Sequence, residues 1–303
     1  MRYTRLVQGD AMDVKSIAVI GAGTMGRGIA YAAVVVGYRT ILEDVSADVL
    51  ERATAWIHQA LDEGVARGKV SREQQEKARG LLSLVRSVEE AGCQAELLIE
   101  AVPENMPLKL GIFQTLNRVA SKRTIFASNT SSLSIAELSA VVENPGRVIG
   151  MHFFNPVPKM KLLELVTTPT TSDEAIAACR EIGQRMGKEV VVVRDSPGFI
   201  TSRINALIGN EAFYMLEAGL ASARDIDTAV KLGLNHPMGP FEMADLVGLD
   251  VRLSILEYLH KTLGEKFRPC PLMVKYVKEN RLGRKTGRGV YEYDSESSAK
   301  MQP

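Results

Sequence analysis

The sequence predicts an α/β N-terminal domain with a helical-arm insertion, followed by an all-α C-terminal domain. Three observations predict it. Short apolar runs alternate with helical patterns up to residue 195, a glycine-rich turn joins the first run to a helix, and beyond Asp195-Ser196-Pro197-Gly198 the periodic stretches have helical spacing. The chain has 303 residues, 46% apolar and 24% charged, which is room for two ordinary domains with a substantial core. The expected bounds are a ragged lead-in over 1–13, the α/β domain over 14–195 with its arm at about 46–81, and the helical domain over 196–303.

The first strand and its turn carry the main chemical signal. Residues 17–20 are a continuous apolar run, as expected of a strand buried on both faces of a parallel sheet. Gly21, Gly23 and Gly26 follow as GxGxxG, with Thr24 and Met25 opening the helix. The first glycine permits the tight turn, the second lets backbone approach a pyrophosphate, and the third leaves room for the helix to pack on the strand. The anion would lie on uncapped amides at the positive end of the helix. GxGxxG alone is a weak signal, so the acidic residue expected about 20 residues later decides the reading. Asp44 stands there, at the end of a second strand, Arg39–Glu43. Its carboxylate can accept both ribose hydroxyls and repel a 2′-phosphate, and Val45 and Ser46 offer no arginine to neutralise one. The pattern is Rossmann-like and favours NAD over NADP; strand, glycines, helix, strand and acid all in register weigh against the competing reading, that Asp44 merely ends a strand.

Residues 46–81 read as a helical hairpin, capped by Ser46 and turning near Gly64 and Gly68. Arg67, Lys69, Arg72, Lys77 and Arg79 make it locally basic. Two readings stand: a solvated helical face, which spacing alone favours, or a mobile arm whose cations meet a phosphorylated substrate. Strands are expected at 82–85 and 97–102, the latter ended by Pro103, with Glu104 and Asn105 at the carboxyl edge where open parallel sheets bind ligands. A helix carrying Lys109 follows, then a strand at 124–127 running into SNTSSLSIAEL. Ser134 and Glu137 have capping-box spacing. Ser131, just before them, is either a turn residue or a hydroxyl facing the nicotinamide.

A further strand, 147–151, ends at His152; the prolines of NPVP then force a loop, and 161–166 resumes extended structure with Glu164 in it. His58 and His260 lie in helical patterns and His236 in a proline turn, which makes His152 the histidine at a sheet terminus. Such a histidine is more often structural than catalytic, but Glu164 lies where the proline turn can fold it back. The last strand is 189–193. Helices are then expected from Phe199 onward and at about 223–232, 242–263 and 271–280, with apolar faces broad enough to bury one against a partner subunit.

Composition narrows the classes. A net charge of +1 gives no global reason to expect nucleic acid or a membrane surface as partner, and no apolar run approaches membrane-spanning length. The opening MRYTRLVQGDAMD does not read as a signal peptide. Cys93, Cys179 and Cys270 are scattered without metal-ligand spacing, which suits reduced thiols in a cytoplasm, each a small buried hydrophobe, and no metal site is expected.

The blocks GAGTMGRGIA, IEAVPEN, SNTSSL, HFFNPVPKMKLLELV, DSPGFI, LGLNHPMGPFEMADLVGLD and LGRKTGRGVYEY together resemble the L-3-hydroxyacyl-CoA dehydrogenases, including the 3-hydroxybutyryl-CoA dehydrogenases, over about 15–293. The resemblance implies an NAD domain, a helical dimerisation domain giving a homodimer, and a helical arm that helps bind coenzyme A, where Arg67 and Lys69 would meet its phosphates. Carried over by motif, Glu104, Lys109, Ser131, Asn155 and Lys285 would contact or frame the cofactor. His152 and Glu164 would be the catalytic pair, with Ser131 also touching the substrate oxygen. Family members carry asparagine in GFI-x-N-R, whereas GFITSR puts Ser202 at that site position. KFRPCPLM looks like the short-chain members. Lambda-crystallin, a structural lens protein, resembles the same family, and other Rossmann proteins sense NAD(H) without turnover; a dehydrogenase of a free 3-hydroxy acid is a third alternative. The presence of both His152 and Glu164 argues for turnover.

Overall fold

The computed structural model describes residues 12–293, so most of the expected lead-in lies outside the described residues. The chain divides into two compact units, Met1–Asp195 and Ser196–Pro303.

In the first unit the order is β1 (Ser16–Ile20), α1 (Thr24–Val35), β2 (Arg39–Glu43), α2 (Ala47–Ala66), α3 (Arg72–Leu81), β3 (Leu82–Val85), α4 (Val88–Gln94), β4 (Leu97–Glu100), α5 (Met106–Val119), β5 (Ile125–Ser128), α6 (Ile135–Ser139), β6 (Val148–Phe153), β7 (Leu162–Thr167), α7 (Asp173–Arg185) and β8 (Glu189–Arg194). One eight-stranded sheet runs β3-β2-β1-β4-β5-β6-β7-β8. Neighbours are parallel except β6 and β7, which pair antiparallel. Ile17, Val19, Leu42, Ile99, Ile149 and Leu165 are fully buried, as a sheet covered on both faces requires.

Local chemistry sets the element ends. Ser46 caps α2 by accepting from Val49 N, and Ser71 with Gln74 forms a capping box that starts α3. Strand β4 stops at Glu100, two residues before the expected end at 102, because the Glu100 carboxylate turns back to accept the amide of Val102 at 2.7 Å. Strand β6 runs to Phe153, which puts His152 inside the strand. Ser134 caps α6, but Asp195 rather than Glu137 completes the cap, its Oδ2 accepting from Ser134 Oγ and Ala136 N. Cys93 is exposed, contrary to expectation, on short α4 with its thiol toward Val119 O; Cys179 and Cys270 are buried.

The second unit holds α8 (Thr201–Glu217), α9 (Ala223–Gly233), α10 (Pro240–Val247), α11 (Leu249–Leu263) and α12 (Pro271–Lys278) around Phe213, Phe241, Leu256, Leu259 and Phe267. The single helix expected over 242–263 is two helices. Gly248, at φ 106, takes a backbone conformation that other residues avoid and breaks the helix there.

Candidate active site

At the end of β1, Gly21 turns at φ 95 and its amide donates to Glu43 O at 2.8 Å. A Cβ on Gly26 would fall 1.7 Å from Gly21 O, so only glycine lets α1 start so close to the strand, whereas a Cβ on Gly23 would meet nothing within 4 Å. No side chain caps α1, which leaves the first-turn amides of Thr24, Met25 and Gly26 to serve as a backbone anion site. Asp44 is tied to this turn: its Oδ2 accepts from Ala22 N and its Oδ1 from Ser46 N, both at 3.0 Å. Each oxygen keeps a lone pair for a ribose hydroxyl. These residues therefore fit a dinucleotide, the pyrophosphate on bare amides and the adenosine ribose on Asp44.

Glu43, the residue before Asp44, escaped the sequence reading. It is only 2% exposed, and its Oε1 has no hydrogen-bond partner. Burial foremost, then the charge of Asp44, pushes its carboxyl up to about 7, with the Gly21 amide partly offsetting them.

Beyond β4 and β5 a buried charge network organises a second cluster. Lys109 Nζ, on α5, is 2.6 Å from Glu100 Oε1 and 3.4 Å from Glu104 Oε2, and the Lys109 and Glu100 side chains are each 1% exposed. Glu100 Oε2 also accepts from Ser128 Oγ at 2.6 Å. Glu104 Oε1 gathers the SNTSS loop, accepting from Thr130 Oγ1 at 2.6 Å, Ser131 N at 3.0 Å and Ser131 Oγ at 3.3 Å, and from Ser132 N and Oγ. Burial raises the Glu104 carboxyl, but the charge of Lys109 and these hydrogen bonds outweigh it and hold the group below its ordinary value. Lys109 thus bridges Glu100 and Glu104. Ser131 is both a turn residue and a half-buried hydroxyl at the sheet edge.

The third cluster stands on the antiparallel pair. His152 and Glu164 are register partners on β6 and β7, and His152 Nδ1 lies 2.8 Å from Glu164 Oε2. They are 6% and 0% exposed. Phe154 packs on the imidazole with ring centroids 4.4 Å apart. Asn129, another residue the sequence reading passed over, ties this cluster to the previous one: its Oδ1 accepts from Phe153 N at 2.9 Å, and its own amide donates to Glu100 O. Asn155 is exposed on the loop that follows.

The structure thus brings Gly21, Gly23, Gly26 and Asp44 together, joins Glu104, Lys109 and Ser131, and pairs His152 with Glu164. Arg67 and Lys69 stand apart at the tip of the α2–α3 hairpin, both exposed, Arg67 paired with Glu63 at 3.2 Å. Ser202 lies in the first turn of α8, and Lys285 pairs with Asp250 at 2.6 Å; both belong to the second unit. Among the described residues no group of three or more His, Cys, Asp or Glu side chains could hold a metal ion. No helix among them is long and apolar enough to cross a membrane.

A doubly wound sheet whose first turn is built for a dinucleotide, with a buried imidazole–carboxylate pair on neighbouring strands, defines an NAD-linked oxidoreductase. Residues 16–196 match the family described as 3-hydroxyacyl-CoA dehydrogenase, NAD binding domain, and residues 198–293 match 3-hydroxyacyl-CoA dehydrogenase, C-terminal domain. The chain belongs to the 3-hydroxyacyl-CoA dehydrogenase family. It is 44% identical over 288 residues to a probable 3-hydroxybutyryl-CoA dehydrogenase of Bacillus subtilis, covering 95% of this chain and 100% of the relative. It is 40% identical to the mitochondrial hydroxyacyl-coenzyme A dehydrogenase of Sus scrofa, covering 92% and 91% of the two chains. The solved (S)-3-hydroxybutyryl-CoA dehydrogenase of Ralstonia eutropha superposes with a TM-score of 0.90 at 40% identity, covering 93% of this chain and 100% of that one.

Proposed function

We propose that this chain oxidises L-3-hydroxyacyl-CoA, with a preference for the short-chain 3-hydroxybutyryl-CoA, to 3-ketoacyl-CoA with NAD, and catalyses the reverse. The buried His152–Glu164 pair carries the reading. Removing hydride from a secondary alcohol requires a base for the hydroxyl proton, and imidazole, which titrates near neutrality, serves in both directions. NAD, when bound, supplies the hydride acceptor. His152 takes the proton through Nε2, because Nδ1 is engaged by Glu164. Glu164 fixes the tautomer and offsets the charge of the imidazolium. Ser131, aimed by Glu104, holds the substrate oxygen.

Asp44 binds the adenosine ribose and selects NAD, while Asn155 contributes to the cofactor site. Arg67 and Lys69 meet the coenzyme A phosphates; their exposure at the hairpin tip supports this. In the second unit, Ser202 is proposed as a supporting substrate contact and Lys285 as a cofactor residue. The working form is a homodimer through the helical unit, whose Leu220, Leu232 and Leu234 are 72%, 80% and 65% exposed. Free cysteines fit a reducing cytoplasm. The test is NADH consumption with acetoacetyl-CoA, a longer 3-ketoacyl-CoA and free acetoacetate. Turnover fastest with acetoacetyl-CoA is expected; no consumption with either thioester would refute the proposal.

A further inference from the structure

We propose that Lys188 is a positioning residue for catalysis, holding the loop that carries Asn155, and with it the surroundings of His152, on a buried ammonium. This rests on the reading of His152 and Asn155 given above. Lys188 precedes β8 and is 7% exposed. Its Nζ donates to Val157 O at 2.5 Å and to Met160 O at 2.7 Å. Among the described residues no ion pair meets its charge, and burial pulls its pKa below the ordinary lysine value. A desolvated cation satisfied only by two carbonyl dipoles is an expensive way to fill space, so what those carbonyls belong to matters.

Both lie in the β6–β7 loop. Pro156 and Pro158 lack N–H groups, so this segment cannot enter a regular ladder. Pro156 O accepts from Lys159 N and Met160 N, each at 3.0 Å, and Lys188 supplies donors to two further carbonyls. Where the loop rejoins the sheet, Glu189 N donates to Lys161 O at 2.7 Å, so Lys188 sits beside the seam. On its other side the loop docks on α1. Val157 is 2% exposed, and a Cβ on Gly28 would fall 3.0 Å from Val157 Cβ, so that glycine leaves room for the valine. The loop is thereby held between the Lys188 ammonium and the helix that begins at the dinucleotide turn. Its fixed position sets where Asn155 stands relative to both the turn and His152.

Lys188→Met keeps the stem and removes the donors. In the folded variant, kcat for acetoacetyl-CoA reduction should fall by roughly 10–100-fold, as expected of displacement by about an ångström. The same substitution in an Asn155→Ala background should cost less than about threefold more, because the loop's contribution is already lost. Lowered thermal stability with wild-type kcat and KM at 25 °C would make Lys188 purely structural and overturn the proposal; so would losses that multiply in the double variant. If Lys188→Met does not fold, Lys188→Gln, with amide donors on a shorter stem, is judged by the same two criteria. Undiminished turnover in His152→Ala would instead remove the site reading beneath the proposal, so the two failures are distinguishable.

Discussion

Lys109 Nζ and Glu100 Oε1 form a 2.6 Å ion pair with both side chains 1% exposed, and Glu104, which gathers the Ser131 loop, leans on the same ammonium. Removing one partner leaves the other charge buried and uncompensated. Lys109→Met should therefore lose about 3–5 kcal/mol of stability. Adding Glu100→Gln should recover most of that loss, because the stranded charge is gone. Denaturant melts of the single and double variants check this; a single variant as stable as wild type would contradict it.

The buried acid Glu43 predicts a pH dependence with a definite sign. Between its ordinary value of 4.5 and about 7 the folded chain keeps a proton that the unfolded chain loses. Folding stability therefore falls as pH rises through that window and stays lowered above it. Glu43→Gln removes the titration. Its melting temperature relative to wild type should rise between pH 5 and pH 8 by about 2 °C or more. Parallel pH profiles for the two proteins would contradict the assignment.

Asp44 Oδ2 holds the glycine turn through Ala22 N, so in the proposed binding mode the residue would join the cofactor's ribose to its pyrophosphate site. Asp44→Ser should raise KM for NADH and narrow the preference for NADH over NADPH, because the hydroxyl acceptors and the repulsion of a 2′-phosphate vanish together. The ratio of the two kcat/KM values is the readout. An unchanged ratio would place cofactor choice elsewhere.

For the arm, replacing Arg67 and Lys69 with alanine should raise KM for acetoacetyl-CoA at least about tenfold more than for NADH, and added salt should shrink the difference, since exposed charges are screened. Equal effects on both ligands would favour the solvated-face reading.

The glycine turn, the strand end at Asp44 and the α2–α3 hairpin were legible because each depends on residues close in sequence: a strand run, fixed glycine spacing, a serine cap. The meeting of His152 with Glu164 was only half legible. Sequence offered an acid beyond a proline turn, but the antiparallel register that makes them direct partners is set by the sheet. Glu100, Asn129 and Lys188 were missed for one physical reason. Each is a polar residue on a buried surface, and its role comes from partners distant in sequence, such as Phe153 N for Asn129 and Val157 O for Lys188. The break at Gly248 was hidden by an apolar pattern that continues across it.

In the proposed mechanism His152, charge-supported by Glu164, moves the substrate proton. The most direct measurement is the steady-state rate of NADH oxidation by acetoacetyl-CoA in His152→Ala, with NADH affinity measured separately. Turnover should fall by roughly 10²–10⁴ with NADH affinity nearly intact, and Glu164→Gln should also fall, by less. Near-wild-type turnover in both variants would contradict the account.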